Sequence, residues 1–194
     1  MRFEINNEII PGTKLRKSDV GGVTGLEFLE KVFFISQGVM LTQIREISGI
    51  DGSTLQNWTK RGWVANSRSK KYDIDQVAHI LIINMLRNCM RLDQIAYLIQ
   101  YINGDVADTS DDIIRDAYLY DYICRILSRL VEDDGYELTH FKDVIMEVIA
   151  DYQEVVPGTR QRLANALEVI VVTYYAALLK KHSDNLMEAL QAER

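Results

Sequence analysis

Two prolines in 194 residues leave almost nothing to interrupt a helix, and this scarcity constrains the fold more than any other feature of the chain. Eleven glycines add few further breaks. Long helices are therefore expected, and with 47% hydrophobic and 26% charged residues the chain has the material for a packed core. The length allows one domain or two small ones. Cys89 and Cys124 lie far apart in apolar helical patterns and read as small buried residues, which excludes a disulfide scaffold or a cysteine zinc cluster. Their sparseness points to a reducing cytosol, and Met1-Arg2-Phe3-Glu4 opens no apolar signal segment, so a cytoplasmic location is expected.

The net charge of −6 hides a strong segregation. Residues 36–91 hold eight basic side chains against four acidic ones, whereas residues 105–154 hold fourteen acids against four bases. Residues 52–72 contain five Lys or Arg and no acid. An acidic chain of this kind still presents a local field suited to a polyanion.

Residues 1–23 show no period and read as an extended arm. Thr24-Gly25-Leu26-Glu27 has capping-box spacing and predicts a helix from 25 to about 37. A short helix over 41–48 is stopped by Gly49, and Ser53-Thr54-Leu55-Gln56 is a second capping box opening a helix through Lys60. From Trp63 to Ile74 the pattern is not helical. Two short β-compatible pieces around Asn66-Ser67-Arg68-Ser69 predict a small wing. Asp73 or Asp75 caps the next helix, to about Cys89, and Asp93 caps another that ends at Asn103-Gly104. The polar stretch 105–112 is the candidate boundary between a domain at 24–104 and a helical domain at 105–194.

Beyond that boundary, helical patterns run at about 111–134, 139–153 and 158–191. The first carries two adjacent apolar stripes, one through Ile113, Ala117, Tyr120, Cys124, Leu127 and Val131, the other through Leu119, Ile123, Ile126 and Leu130. Residues 169–179 are almost unbroken in apolarity yet too short to span a bilayer, and so predict a central helix or a subunit interface. The expected fold is all-α with a small β wing.

Function concentrates at residues 42–61, which have the outline of a helix-turn-helix. Gly49 permits a left-handed turn, and Leu55 and Trp58 face one core. Thr42, Ser53, Thr54, Gln56, Asn57 and Lys60 are then placed to meet a major groove. Arg61, Arg68, Lys70, Lys71 and the Tyr72 hydroxyl are placed to meet phosphates. Asn57 has the donor and acceptor pair that suits adenine, while Gln56 is divided between base reading and a capping role.

The run Thr54-Leu55, Trp58, Arg61-Gly62-Trp63-Val64, Arg68, Tyr72 and Ile74-Asp75-Gln76-Val77, followed by Leu92-Asp93-Gln94-Ile95, resembles the winged helix-turn-helix of the MerR family over residues 41–102. Leu55 to Val64 with Lys70-Lys71-Tyr72 is closer still to an uncharacterised bacterial family with a MerR-like N-terminal half and a helical C-terminal half. The resemblance implies a bacterial transcriptional regulator that binds double-stranded DNA. Gln56-Asn57-Trp58 stands where MerR regulators usually carry Arg-Tyr-Tyr, and neither their long dimerisation helix nor their metal-binding cysteine segment is evident, so metal sensing does not carry over.

No cofactor loop, paired-carboxylate site or nucleophile set is found, and His79, His140 and His182 lie on separate predicted helices without a ligand partner. An enzyme using Tyr118, Tyr120 and Tyr122 is the remote reading, and no enzymatic activity is expected. A protein-interaction adaptor that keeps the winged fold without DNA binding is the principal alternative. Because one helix-turn-helix reads few base pairs, a homodimer through residues 111–191 is expected, with room for a small-molecule effector.

Overall fold

The computed structural model describes residues 8–34, 38–105, 108, 110–132 and 138–192. Among them the chain is mostly helical with one two-stranded antiparallel ribbon. The order is α1 (Gly25–Phe33), β1 (Val39–Met40), α2 (Leu41–Ser48), α3 (Gly52–Lys60), β2 (Lys71–Tyr72), α4 (Ile74–Leu86), α5 (Leu92–Asn103), α6 (Asp116–Glu132), α7 (Leu138–Val148) and α8 (Thr159–Ala192). The all-α expectation with a small β element holds, and most helices lie where their periodicity places them.

The centre of the molecule is α4. Residues 77–83 are buried without a break, so it is apolar on every side, as a helix enclosed by others must be. The packing on it crosses the expected boundary at 105–112, since α6 lies against both α1 and α4, and α8 against α4 and α5. Both stripes of α6 are spent on this packing, with only Val131 part-exposed. The two segments share one continuous apolar core.

Polar links weld them further. The Asp121 carboxylate on α6 accepts the Leu26 N–H at 2.9 Å and so caps α1, whose own Thr24 makes no side-chain capping bond. Asp75 on α4 caps α6 in the same way, taking the Ala117 N–H at 3.0 Å while also holding Arg115 at 2.9 Å. The buried Asn103 amide donates to the Ile114 carbonyl and accepts its N–H, which closes the polar loop between α5 and α6. The residues on either side of the polar stretch 105–112 are thus joined by hydrogen bonds.

The N-terminal segment is equally tied down from Glu8 onward, contrary to the extended arm expected for residues 1–23; residues 1–7 lie outside the described residues. Ile10 is fully buried, a bridge joins Ile9 to Arg16, and a short 3-10 turn covers Lys17–Val20. Tyr120 donates its hydroxyl to the Pro11 carbonyl at 2.7 Å. Gly12 has a φ of +75°, and a Cβ there would lie 2.3 Å from the Leu81 carbonyl oxygen, so only glycine fits.

At 34 residues, α8 is about 51 Å long by the usual helical rise. It occupies the span of about 158–191 over which the sequence expects helical periodicity. Ile170, Val171 and Tyr175 are buried, but Val169, Val172 and Leu179 are not, so the run at 169–179 is only half enclosed. From Leu179 to Ala192 every residue is exposed. By length and composition alone α8 is apolar enough to cross a membrane, although much of its apolar part packs into this core.

Candidate nucleic-acid interface

The helices α2 and α3 are joined by three residues whose conformations are set locally. Gly49 adopts φ +73°, the left-handed region that stops α2. The buried Ser48 hydroxyl donates to the Ile44 carbonyl and accepts the Ile50 N–H at 3.1 Å, and Ile50 is buried. Asn84 on α4 donates to the carbonyls of both Ser48 and Gly12, fixing the turn to the core.

Asp51, not Ser53, caps α3. Its carboxylate accepts the Thr54 N–H at 2.8 Å, the Thr54 hydroxyl at 2.7 Å and the Ser53 hydroxyl at 2.5 Å. These donors, the Ser53 hydroxyl first, hold the Asp51 carboxyl well below the usual carboxylate range. The shift of cap by two residues has two consequences. Ser53 and Thr54, both expected to meet DNA, have their hydroxyls committed to Asp51. Gln56, released from the capping role that its spacing suggested, stands exposed.

The helix is sharply two-sided. Leu55 and Trp58 are buried, at 1% and 2% exposure, while Ser53, Gln56, Asn57 and Lys60 are exposed at spacings of 3, 1 and 3, a single outward stripe. Thr42 is exposed on the first turn of α2. Thr42, Gln56, Asn57 and Lys60, the residues expected to meet a major groove, are thus all exposed.

The ribbon differs from the expected wing in its pairing. β2 does not pair with the 63–66 stretch; it pairs with β1, with Val39 opposite Tyr72 and Met40 opposite Lys71. The turn before β2 is a tight two-residue one, in which Arg68 and Lys71 exchange both backbone hydrogen bonds at 2.9 Å. Ser69 and Lys70 sit inside it at φ 50° and 63°, a conformation that non-glycine residues adopt at a cost. Gln76 steadies the preceding loop by donating to the Asn66 carbonyl at 3.0 Å, while forming a reciprocal capping box with Asp73 at the start of α4. Tyr72, expected to pack the wing with its hydroxyl toward a phosphate, is 8% exposed, its ring packed into the core.

Lys60, Arg61, Arg68, Lys70 and Lys71 are all exposed and make no ion pair among the described residues. Arg61 lies over the Trp63 ring at 5.1 Å, which holds the guanidinium in place without neutralising it. Several cations elsewhere are matched, with Arg115 on Asp75, Arg125 on Asp151, Lys142 on Glu168 and Lys180 on Asp184, whereas Lys14, Arg45, Arg87 and Lys181 make no ion pair among the described residues.

Behind the interface His79 is buried, its Nδ1 2.8 Å from Asp116 Oδ2 and its Nε2 2.8 Å from the Trp63 carbonyl oxygen. Burial pushes its pKa down, but Asp116 and the Trp63 carbonyl more than reverse this and hold it above its ordinary value. Asp112 nearby is raised to about 6 by burial and then by Asp116. The remaining candidates are dispersed. Tyr120 and Tyr122 are buried with their hydroxyls on Pro11 and Asp151, whereas Tyr118 is exposed. Cys124 is buried as expected, but Cys89 is exposed. Among the described residues no cluster of three or more His, Cys, Asp or Glu is arranged to hold a metal.

Residues 28–123 match the family described as "Domain of unknown function (DUF1836)". The DUF1836 match starts within α1 and ends within α6, so it includes the Asp75–Ala117 link and Asp121, though not Leu26, and runs past the polar stretch at 105–112. The chain is also 23% identical over 134 residues to YkrK of Bacillus subtilis (strain 168), which is described as an uncharacterized protein. That alignment covers 67% of this chain and 54% of YkrK, so the chain spans about half the length of the curated relative it matches. No solved structure matches.

Proposed function

We propose that the chain is a cytoplasmic, dimeric, sequence-specific DNA-binding regulator, with α2, α3 and the ribbon acting as a MerR-like winged helix-turn-helix. The observation that carries this reading is the local cluster of five exposed cations, none in an ion pair among the described residues, beside an outward polar stripe. In this reading α3 enters the major groove with Gln56 and Asn57 toward base edges and Lys60 and Arg61 toward the backbone. Arg68, Lys70 and Lys71 at the ribbon turn hold phosphates of the flanking strand. The Asp51 carboxylate at the head of α3 repels phosphate, which moves the contact to the middle and end of the helix.

The homodimer is supported by α8. Val169, Val172, Ala176, Leu179, Ser183, Leu186 and Leu190 recur at alternating spacings of three and four, and all are exposed. That 3.5-residue seam is the pattern of a coiled coil, and a second copy of the same helix is self-complementary to it.

One observation favours the adaptor alternative, namely that Asp51 places a negative charge where recognition helices often approach phosphate. Selection of sites from a random DNA pool separates the two. The regulator reading requires a consensus with two related half-sites, whereas no enrichment above background refutes it and leaves the adaptor.

A further inference from the structure

A groove of about 680 Å³ lies between the N-terminal segment, the end of α4 and the C-terminal half of α8. Its size is that of a small-molecule site. Met85 from α4 and Tyr174 and Leu178 from α8 supply apolar surface, and burial drives the Tyr174 hydroxyl far above its usual pKa, so it stays neutral. The charged side is unbalanced. Lys180 is bound to Asp184 at 2.6 Å, but Arg87 and Lys181 have no acidic partner among the described residues.

Two groups on this groove also touch the reading helices. The Arg87 guanidinium lies 5.7 Å from the centroid of the Trp58 ring, the main buried anchor of α3. Asn84, on the wall, donates to the Ser48 carbonyl at the end of α2 and to the Gly12 carbonyl of the N-terminal segment. We propose that this groove binds a small organic anion with an apolar body, and that Arg87 couples its occupancy to the seating of α3. An anionic head group draws the guanidinium from the face of Trp58 into a charge-assisted hydrogen bond, which is the stronger of the two contacts. The apolar body lies along Met85, Tyr174 and Leu178. The regulatory consequence rests on the DNA-binding reading; the anion site does not.

The test uses the full chain with Trp63→Phe, so that Trp58 is the single tryptophan and its fluorescence reports on Arg87. Octanoate and octyl phosphate are titrated against octanol, first without DNA. The expected result is saturable binding of one or both anions, about tenfold or more tighter than octanol, with a change in Trp58 emission. Lys181→Glu, an exposed change that leaves the core intact, is expected to weaken the anion about tenfold. Equal binding of octanol, no saturable binding of either anion, or anion binding indifferent to Lys181→Glu overturns the site. Preference for octanoate or for octyl phosphate identifies the head group as carboxylate or phosphate. With DNA present, saturating anion is expected to shift affinity at least threefold; intact anion binding with unchanged DNA affinity overturns the coupling. Absence of any DNA binding refutes the regulator reading while the anion titration stands on its own.

Discussion

Replacing Lys70 and Lys71 by alanine probes the proposed interface most directly, because the structure sets its size. Each phosphate contact adds about 0.9 to the slope of log affinity against log salt. If Lys60, Arg61, Arg68, Lys70 and Lys71 each hold one phosphate, a single reader has a slope of about −4.5, and the double variant about −2.7. From 50 to 200 mM salt the first loses roughly 500-fold in affinity and the second roughly 40-fold. Alanine at position 70 meets the same left-handed backbone that lysine already tolerates, so the turn is not newly strained. The measurement is fluorescence anisotropy on labelled duplex at four salt concentrations, on random and selected sequence alike. Both sequences are expected to weaken equally, since phosphate contacts carry no base information. A slope that does not change shows that the ribbon turn faces away from DNA and refutes the argument from unpaired charge.

Four further outcomes follow from other parts of the structure. Asn57→Ala is expected to cost about 1–3 kcal/mol on a selected site and much less on random DNA in the same anisotropy assay; equal losses assign Asn57 to positioning. Leu186→Glu with Leu190→Glu, both on the exposed seam, is expected to give a folded monomer by light scattering on the full chain, and a persistent dimer moves the interface elsewhere. Stability is expected to fall as pH rises, because Asp112, raised to about 6, binds its proton in the folded state above the unfolded value of 3.8, and His79, also raised, keeps its proton beyond 6.5. Thermal melts at pH 5, 6.5 and 8.5 check this, and His79→Asn is expected to flatten the upper part of the curve only. Gly12→Ala is expected to destabilise by more than the roughly 1–2 kcal/mol of a left-handed alanine, because its Cβ collides with the Leu81 carbonyl; a denaturation midpoint near that of the parent contradicts the assigned backbone.

Much of this architecture is legible in the sequence because long helices write their buried face at regular intervals. The double stripe of α6 is an example, and so is the stop at Gly49. What escapes is set by partners distant along the chain. The cap of α1 is Asp121, 95 residues from Leu26, and no local spacing announces it. The strand opposite Tyr72 is two residues long, too short to show any alternation. The acidic stretch 105–112 has the composition of a linker, and nothing in it announces that the flanking Asn103 and Ile114 are hydrogen-bonded to each other. For α3 the signal was present twice, since Asp51 and Ser53 both stand three residues before a plausible partner, and the ionised carboxylate is the stronger acceptor. On α8 the apolar run 169–179 leaves a central helix and a subunit interface equally open from sequence, because unbroken apolarity does not say which half meets the core and which half faces solvent.

The left-handed pair Ser69-Lys70 sets two pressures on this chain against each other. Asparagine and glycine at these positions would relax the turn, and any search for greater heat resistance favours such a change. The same change removes a positive charge from the tip of the ribbon. Variants selected only for endurance are then drawn toward a sturdier protein with a less basic ribbon tip, so under the proposed DNA-binding function a library sorted by melting temperature and one sorted by DNA retention should diverge first at residue 70.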